Sequence, residues 1–168
     1  MKKSKQVISW LLVIGWMVVI YTLSAQTAAV SSTLSGSVLD LLLSMTGNLL
    51  TNHIDDLMYL HYLLRKYAHF SAYALLGVLV MNAFLRSKTR YEKHGLWILA
   101  LNTFIVCFLY AYFDEWHQTF VAGRSGEFRD VLIDTSGATF GILFVMAIVY
   151  IRNAIKKKKT SAACSLTE

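Results

Sequence analysis

The stretch Asp114–Asp134, DEWHQTFVAGRSGEFRDVLID, decides the fold. It holds five of the chain's ten acidic residues, one of its five histidines and two arginines. Apolar runs of 18 and 21 residues, Leu96–Phe113 and Val131–Ile151, enclose it. A helix of roughly 17–25 residues crosses the hydrocarbon of a bilayer, and it satisfies its own backbone hydrogen bonds there. The sequence therefore reads as two spanning helices joined by a polar hairpin at the membrane edge. Polar groups packed at that position are costly, so they take partners or carry a function.

Working outward, two more runs have spanning length: Tyr67–Leu85, with 19 residues, and Val7–Leu23, with 17 and no charge. The first carries His69 near one end and Asn82 near the other. The second follows Lys2, Lys3 and Lys5 and precedes Ser24-Ala25, an order that imitates a secretory signal peptide. It is long for a signal core and is read as a retained helix. Composition agrees: 56% of the 168 residues are hydrophobic, against roughly 45–50% in soluble chains. Mean hydropathy is +0.50 and proline is absent. Four such helices leave too little polar surface for a soluble domain. Cys107 falls inside an apolar run and Cys164 in the basic tail, so no disulfide is expected, and Cys107 is read as a packing residue.

The expected fold is an all-α integral membrane protein with four transmembrane helices, at about 7–23, 67–85, 96–113 and 131–151. Residues 1–6 form a short N-terminus, 24–66 and 114–130 the outer loops, and 152–168 a basic tail. Lysines and arginines set the orientation. Twelve lie before the first helix, between the second and third, and after the fourth; only Arg65, Lys66, Arg124 and Arg129 lie on the other side. The positive-inside rule then places both termini in the cytoplasm of a bacterial cell membrane. The net charge of +6 is thus explained by orientation, with Lys156–Lys159 resting on anionic lipid headgroups rather than on nucleic acid. In the first outer loop Val30, Leu34, Val38, Leu41, Met45 and Leu49 recur every three or four residues, which predicts an outer-face amphipathic helix between helices 1 and 2. Asn52 or Asp55 is placed to cap a short helix, Asp56–Leu64, that runs into helix 2.

This topology gathers the polar residues at one depth. Gln26 follows helix 1, Arg65, Lys66 and His69 open helix 2, and Asp114–Gln118 end helix 3. Arg124, Arg129, Asp130 and Asp134 lie between helices 3 and 4. Arg65 and His69, four apart, share a helix face, as do Asp114, His117 and Gln118. Asp130 and Asp134 stand above Gly137 and Gly141, a small-residue strip that lets a neighbouring helix approach closely and turns both carboxylates toward the bundle. Gly123 and Gly126 flank Arg124, whose guanidinium suits a bidentate grip on phosphate or carboxylate. Ion pairs that lock the helices together account for the same residues without any ligand.

Three chemistries fit the residue types. A divalent metal on Asp114, His117 and His69 is chemically reasonable, but no HExxH or equivalent is present and no metal ligand is assigned; any cofactor stays unknown. General acid–base work by His117, or by His69, beside Glu115 or Asp114 is the enzymatic option. Ser24 and Ser125 lack a GxSxG setting, and nucleotide-binding loops are absent. Tyr110, Tyr112, Phe113, Trp116 and Phe120 form an interfacial aromatic belt or, alternatively, a stacking wall for a sugar or lipid headgroup.

Ser24-Ala25-Gln26, Arg65-Lys66-x-Ala68-His69-Phe70-x-x-Tyr73-x-x-Leu76-Gly77, Asp114-Glu115-x-His117-Gln118, Gly123-Arg124 and Asp130-x-x-x-Asp134-x-x-Gly137-x-x-x-Gly141 together resemble the VanZ-like family of bacterial membrane proteins. The likeness covers residues 24–141, and its Asp-Glu-x-His-Gln form is similar to that of the stand-alone branch. It implies a small polytopic protein of the cell membrane, often linked to teicoplanin and other glycopeptide or lipoglycopeptide resistance, with no settled biochemical activity. On the residues themselves, the first expectation is a pocket for an anionic lipid, a lipid-linked cell-wall precursor or a glycopeptide. Gln26, Arg65, Lys66, His69, Gln118, Arg124, Asp130 and Asp134 would bind it. The second is an enzyme acting on a lipid-linked substrate through His117, Glu115 and Asp114. Proton or ion transport is the weakest reading, since transport sites commonly lie at the bilayer midplane and these groups do not. Membrane lipids are the expected partners; the oligomeric state is open.

Overall fold

The computed structural model describes residues 2–27, 54–87 and 91–164, with isolated positions of the intervening loop. Among the described residues run four long helices: α1 (Lys2–Ser24), α2 (Ile54–Arg86), α3 (Tyr91–Gln118, kinked at Gly95) and α4 (Phe128–Cys164). Each runs past the apolar stretch that announces it. Hydropathy registers only the part of a helix that meets lipid, whereas Lys, Arg, Glu and Gln continue a helix readily in water. The expected short helix Asp56–Leu64 is accordingly the start of α2. The predicted amphipathic helix lies, apart from Leu41 and a few polar neighbours, outside the described residues.

All four helices are long and apolar enough to cross a membrane, over Lys3–Ser24, Tyr59–Arg86, Gly95–Gln118 and Phe128–Lys158. Their outer surfaces carry exposed Val7, Leu11, Ile14, Ile98, Leu101, Ile105, Phe140 and Phe144. A water-soluble monomer would not leave so continuous an apolar surface uncovered. The chain is a multi-pass membrane protein. Inside, Tyr73, Leu76, Val80, Cys107, Ala111, Val131 and Ala138 form the main core, joined by Val13 and Ile20 of α1. Cys107 is buried with a free thiol, consistent with a packing role.

The pairing of α2 with α4 is the closest in the bundle. A Cβ added at Gly137 would run into the carbonyl oxygen of Phe70, at Gly141 into that of Ala74, and at Gly77 into that of Ala138. Partners advance together along both helices, so α2 and α4 run parallel, backbone against backbone. In lipid such contact is favoured by packing itself, because removing apolar surface from hydrocarbon brings no hydrophobic gain.

Directed hydrogen bonds seat the other helices. Trp10 and Trp16 of α1 donate their indole N–H groups to Ser87 Oγ (3.0 Å) and to the carbonyl of Ala72 (2.9 Å), which sets α1 antiparallel to α2. Tyr110 of α3 donates to the carbonyl of Met17 (2.5 Å). The C-terminal ends of α1 and α3 therefore meet the N-terminal parts of α2 and α4 at one polar end. The opposite end holds a groove of 240 Å³ lined by Lys5, Ser9, Leu12, Asn82 and Arg86.

The close helix contact gives a direct test. Gly141→Val should lower unfolding stability in detergent by about 1–3 kcal/mol, the usual cost of overpacking. Gly15→Ala should leave it unchanged, since nothing lies within 4 Å of a Cβ there. Denaturant midpoints of the two variants check this.

Candidate functional site

At the polar end the last turn of α3 faces inward. Asp114, Glu115 and Gln118 are all buried, and spacings of four and three residues put Asp114 and Glu115 each beside Gln118. Across from them, Asp130 and Asp134 of α4 are also buried. The Gly137 and Gly141 contacts draw α4 against α2, and this brings Lys66 and His69 to those carboxylates. Lys66 Nζ pairs with Asp130 Oδ1, and the ammonium also lies 5.0 Å from the centre of the Tyr62 ring. His69 Nδ1 lies 3.3 Å from Asp134 Oδ1.

The loop after α3 folds back on that helix. Gly123 adopts φ 75°, in the left-handed region that glycine occupies freely. A Cβ at Gly126 would strike the Glu115 carbonyl and the Thr119 methyl. This tight return carries Arg124 to Gln118, whose amide becomes the hub of the site. Gln118 Oε1 accepts from Arg124 Nη1 (3.2 Å) and from Arg65 Nη2 (3.4 Å), and Gln118 Nε2 donates to Glu115 Oε1 (3.0 Å). Glu115 Oε2 accepts from the backbone N–H of Glu127 (3.1 Å).

Two guanidiniums thus share one neutral oxygen. Among the described residues neither has a carboxylate within ion-pairing distance, and the Nε of each is buried without an acceptor. Burial first, and then the neighbouring Arg65, push Arg124 below its ordinary pKa, while Asp114 and Glu115 act in the opposite sense. Both effects favour an anion between the two arginines.

A second set of groups is negative. Asp114, 3% exposed, and Asp134, 0% exposed, receive no well-formed hydrogen bond on any of their four carboxylate oxygens among the described residues. The buried hydroxyls of Ser24 and Tyr73 border Asp114, Ser24 close enough to stabilise its carboxylate, and neither makes a well-formed hydrogen bond among the described residues. His69, Glu115 and Asp134 each present a ligand atom, all within 4.8 Å of one another.

Most residues read from the sequence meet here, but their groupings differ. His117 turns toward α1, with Nε2 3.2 Å from Tyr21 Oη and the two rings 4.7 Å apart. The position beside His69 goes to Glu115. Lys66 and Asp130 are spent on each other. Gln26 follows α1 half-buried, and its side chain makes no hydrogen bond among the described residues. Of the aromatic set, Tyr110 turns inward, whereas Tyr112, Phe113, Trp116 and Phe120 stay exposed in the manner of an interfacial belt. Ser24 and Tyr73 join the site through burial at its wall; their place in the family-like motif was the available signal.

The Lys66–Asp130 pair should be felt in stability. Asp130→Ala leaves a largely buried ammonium unpaired and should destabilise by about 3 kcal/mol. The double variant Lys66→Met/Asp130→Leu should recover most of that loss. Thermal unfolding in detergent measures both.

Comparison with curated proteins and with solved structures gives no match. A sequence model of the VanZ/LLP1 family matches residues 9–150, which includes α2 and α3, most of α1 and α4, and the residues of the polar end. The chain belongs to the VanZ/LLP1 family and is a VanZ-like membrane protein.

Proposed function

We propose that the polar end faces outward in the bacterial cell membrane and binds the anionic headgroup of a lipid or lipid-linked cell-wall precursor. The reading rests on one observation: Arg65 and Arg124 converge on Gln118 Oε1, and among the described residues neither has a carboxylate within ion-pairing distance. Guanidiniums are the side chains suited to a bidentate grip on phosphate, and the chemistry shared by both candidate ligands is a phosphate ester at membrane depth. Holding such a headgroup would affect envelope homeostasis and, through the availability of cell-wall precursors, tolerance of glycopeptides and lipoglycopeptides. The distribution of lysine and arginine supports the outward orientation.

A second reading, an enzyme acting on a lipid-linked substrate, draws on His69. Its imidazole lies against Asp134 and beside Glu115, a better placement for general acid–base work than that of His117, which faces Tyr21.

The binding test uses purified protein and liposomes of neutral lipid doped with either an anionic phospholipid or an undecaprenyl-linked diphosphate. Arg124→Ala and Arg65→Ala should each weaken binding at least about tenfold, the effect of losing one charge-assisted pair. Undiminished binding by both variants would sink the reading, and the two dopants identify the ligand source. Phosphate or sugar release from the same liposomes, lost in His69→Gln and kept in His117→Gln, would favour the enzyme.

Orientation is tested in whole cells of a Cys164→Ser strain. Ser125→Cys should react with a membrane-impermeant maleimide, and Ile155→Cys should react only after permeabilisation. The reverse pattern would place the site at the cytoplasmic face.

A further inference from the structure

Buried charge at the polar end does not balance pair by pair. Lys66 and Asp130 neutralise each other. Arg65 and Arg124 lean on an amide. That leaves Asp114, Glu115 and Asp134, three carboxylates buried on two helices, with His69 as the imidazole beside Glu115 and Asp134 among the described residues. Carboxylates removed from water without a cation are strongly disfavoured. Glu115 is held by two hydrogen bonds, whereas Asp114 and Asp134 receive no well-formed one among the described residues, His69 Nδ1 standing 3.3 Å from Asp134 Oδ1.

We propose that His69, Glu115 and Asp134 bind one divalent transition-metal ion, of the Zn²⁺ or Mn²⁺ kind, with Asp114 completing or orienting the coordination. The three ligands come from α2, α3 and α4, and their donor atoms already lie within 4.8 Å of one another. Donors around a tetrahedral ion at about 2.0–2.2 Å sit roughly 3.3–3.6 Å apart; His69 Nδ1 and Asp134 Oδ1 are already at 3.3 Å, and closing the widest pair of the set needs a shift of about an ångström. The imidazole in the set selects against Ca²⁺ and Mg²⁺, which take oxygen ligands. Asp114 is the independent sign of a ligand: it is 3% exposed, and among the described residues neither of its oxygens receives a well-formed hydrogen bond, the Ser24 hydroxyl lying nearby.

The surroundings resemble an outer coordination shell. Glu115 is fixed by Gln118 Nε2 and by the Glu127 N–H, as carboxylate ligands commonly are. Through Gln118 the same network reaches Arg65 and Arg124. A dication and an anion site would then be neighbours, a pairing suited to a phosphate ester. The metal proposal does not depend on the headgroup reading, because it concerns ligands that touch neither guanidinium.

The test uses the full chain, purified in detergent, stripped with chelator and titrated with ZnCl₂ or MnCl₂ alone by calorimetry, without lipid. We expect one ion per chain. His69→Gln and Asp134→Asn should each weaken binding by at least about tenfold, whereas Asn82→Ala, at the opposite end, should bind like wild type. Absence of saturable binding by wild type, or binding unchanged in both ligand variants, would overturn the proposal. Should either variant fail to elute as a monodisperse species, X-ray absorption of the metal-loaded wild type decides instead. A shell of oxygens with one imidazole supports the site, and a sulfur-containing shell or one without imidazole refutes it. Because no lipid is present, a negative headgroup assay leaves this result standing.

Discussion

The polar end depends on the bare-backbone contact between α2 and α4. Gly137 and Gly141 admit the carbonyls of Phe70 and Ala74 to positions that any side chain would fill. One helical turn toward the polar end, the same register sets His69 beside Asp134, and one further turn sets Lys66 beside Asp130. A larger residue in the strip would move α4 away by the thickness of a side chain, and every cross-helix polar contact above it would open. Packing that carries no charge thus fixes the geometry of the charged groups.

The site divides into two halves of opposite sign joined by one side chain. Gln118 offers its oxygen to the arginines and its amino group to Glu115. A carboxylate in its place would pair with the arginines and repel Glu115; an aliphatic residue would leave three charged groups without their shared partner. An amide serves both sides at once, because donor and acceptor sit on the same planar group. Its burial on the inner face of α3 holds that orientation.

Much of this was legible in the sequence. Run lengths gave the four helices, and steps of four and three placed Asp130 and Asp134 over the glycine strip. The four-residue spacing of Arg65 and His69 put both on one face. Two things were hidden. Spacing says which residues share a face of α3 but not whether that face meets α1 or α2, so His117 and Glu115 could not be told apart; α1 took His117 through Tyr21. The return of Arg124 to Gln118 depends on a left-handed glycine and a loop folded against a helix end, and neither leaves a periodic trace. The helix ends were also underestimated, since an apolar window measures lipid contact rather than helix length.

The pairing of α2 with α4 skips α3, and this bears on how the protein is made. Chain order requires Arg65, Lys66 and His69 to enter the membrane before Asp130 and Asp134 have been synthesised. During that interval α2 holds its cations unpaired at the membrane boundary, where long basic side chains can reach water. Only when the last helix arrives can the glycine strip close, the Lys66–Asp130 pair form and Asp134 come up beside His69. Assembly of the polar end is therefore the final event of insertion, and a chain stopped before α4 lacks the site however well its first three helices are seated.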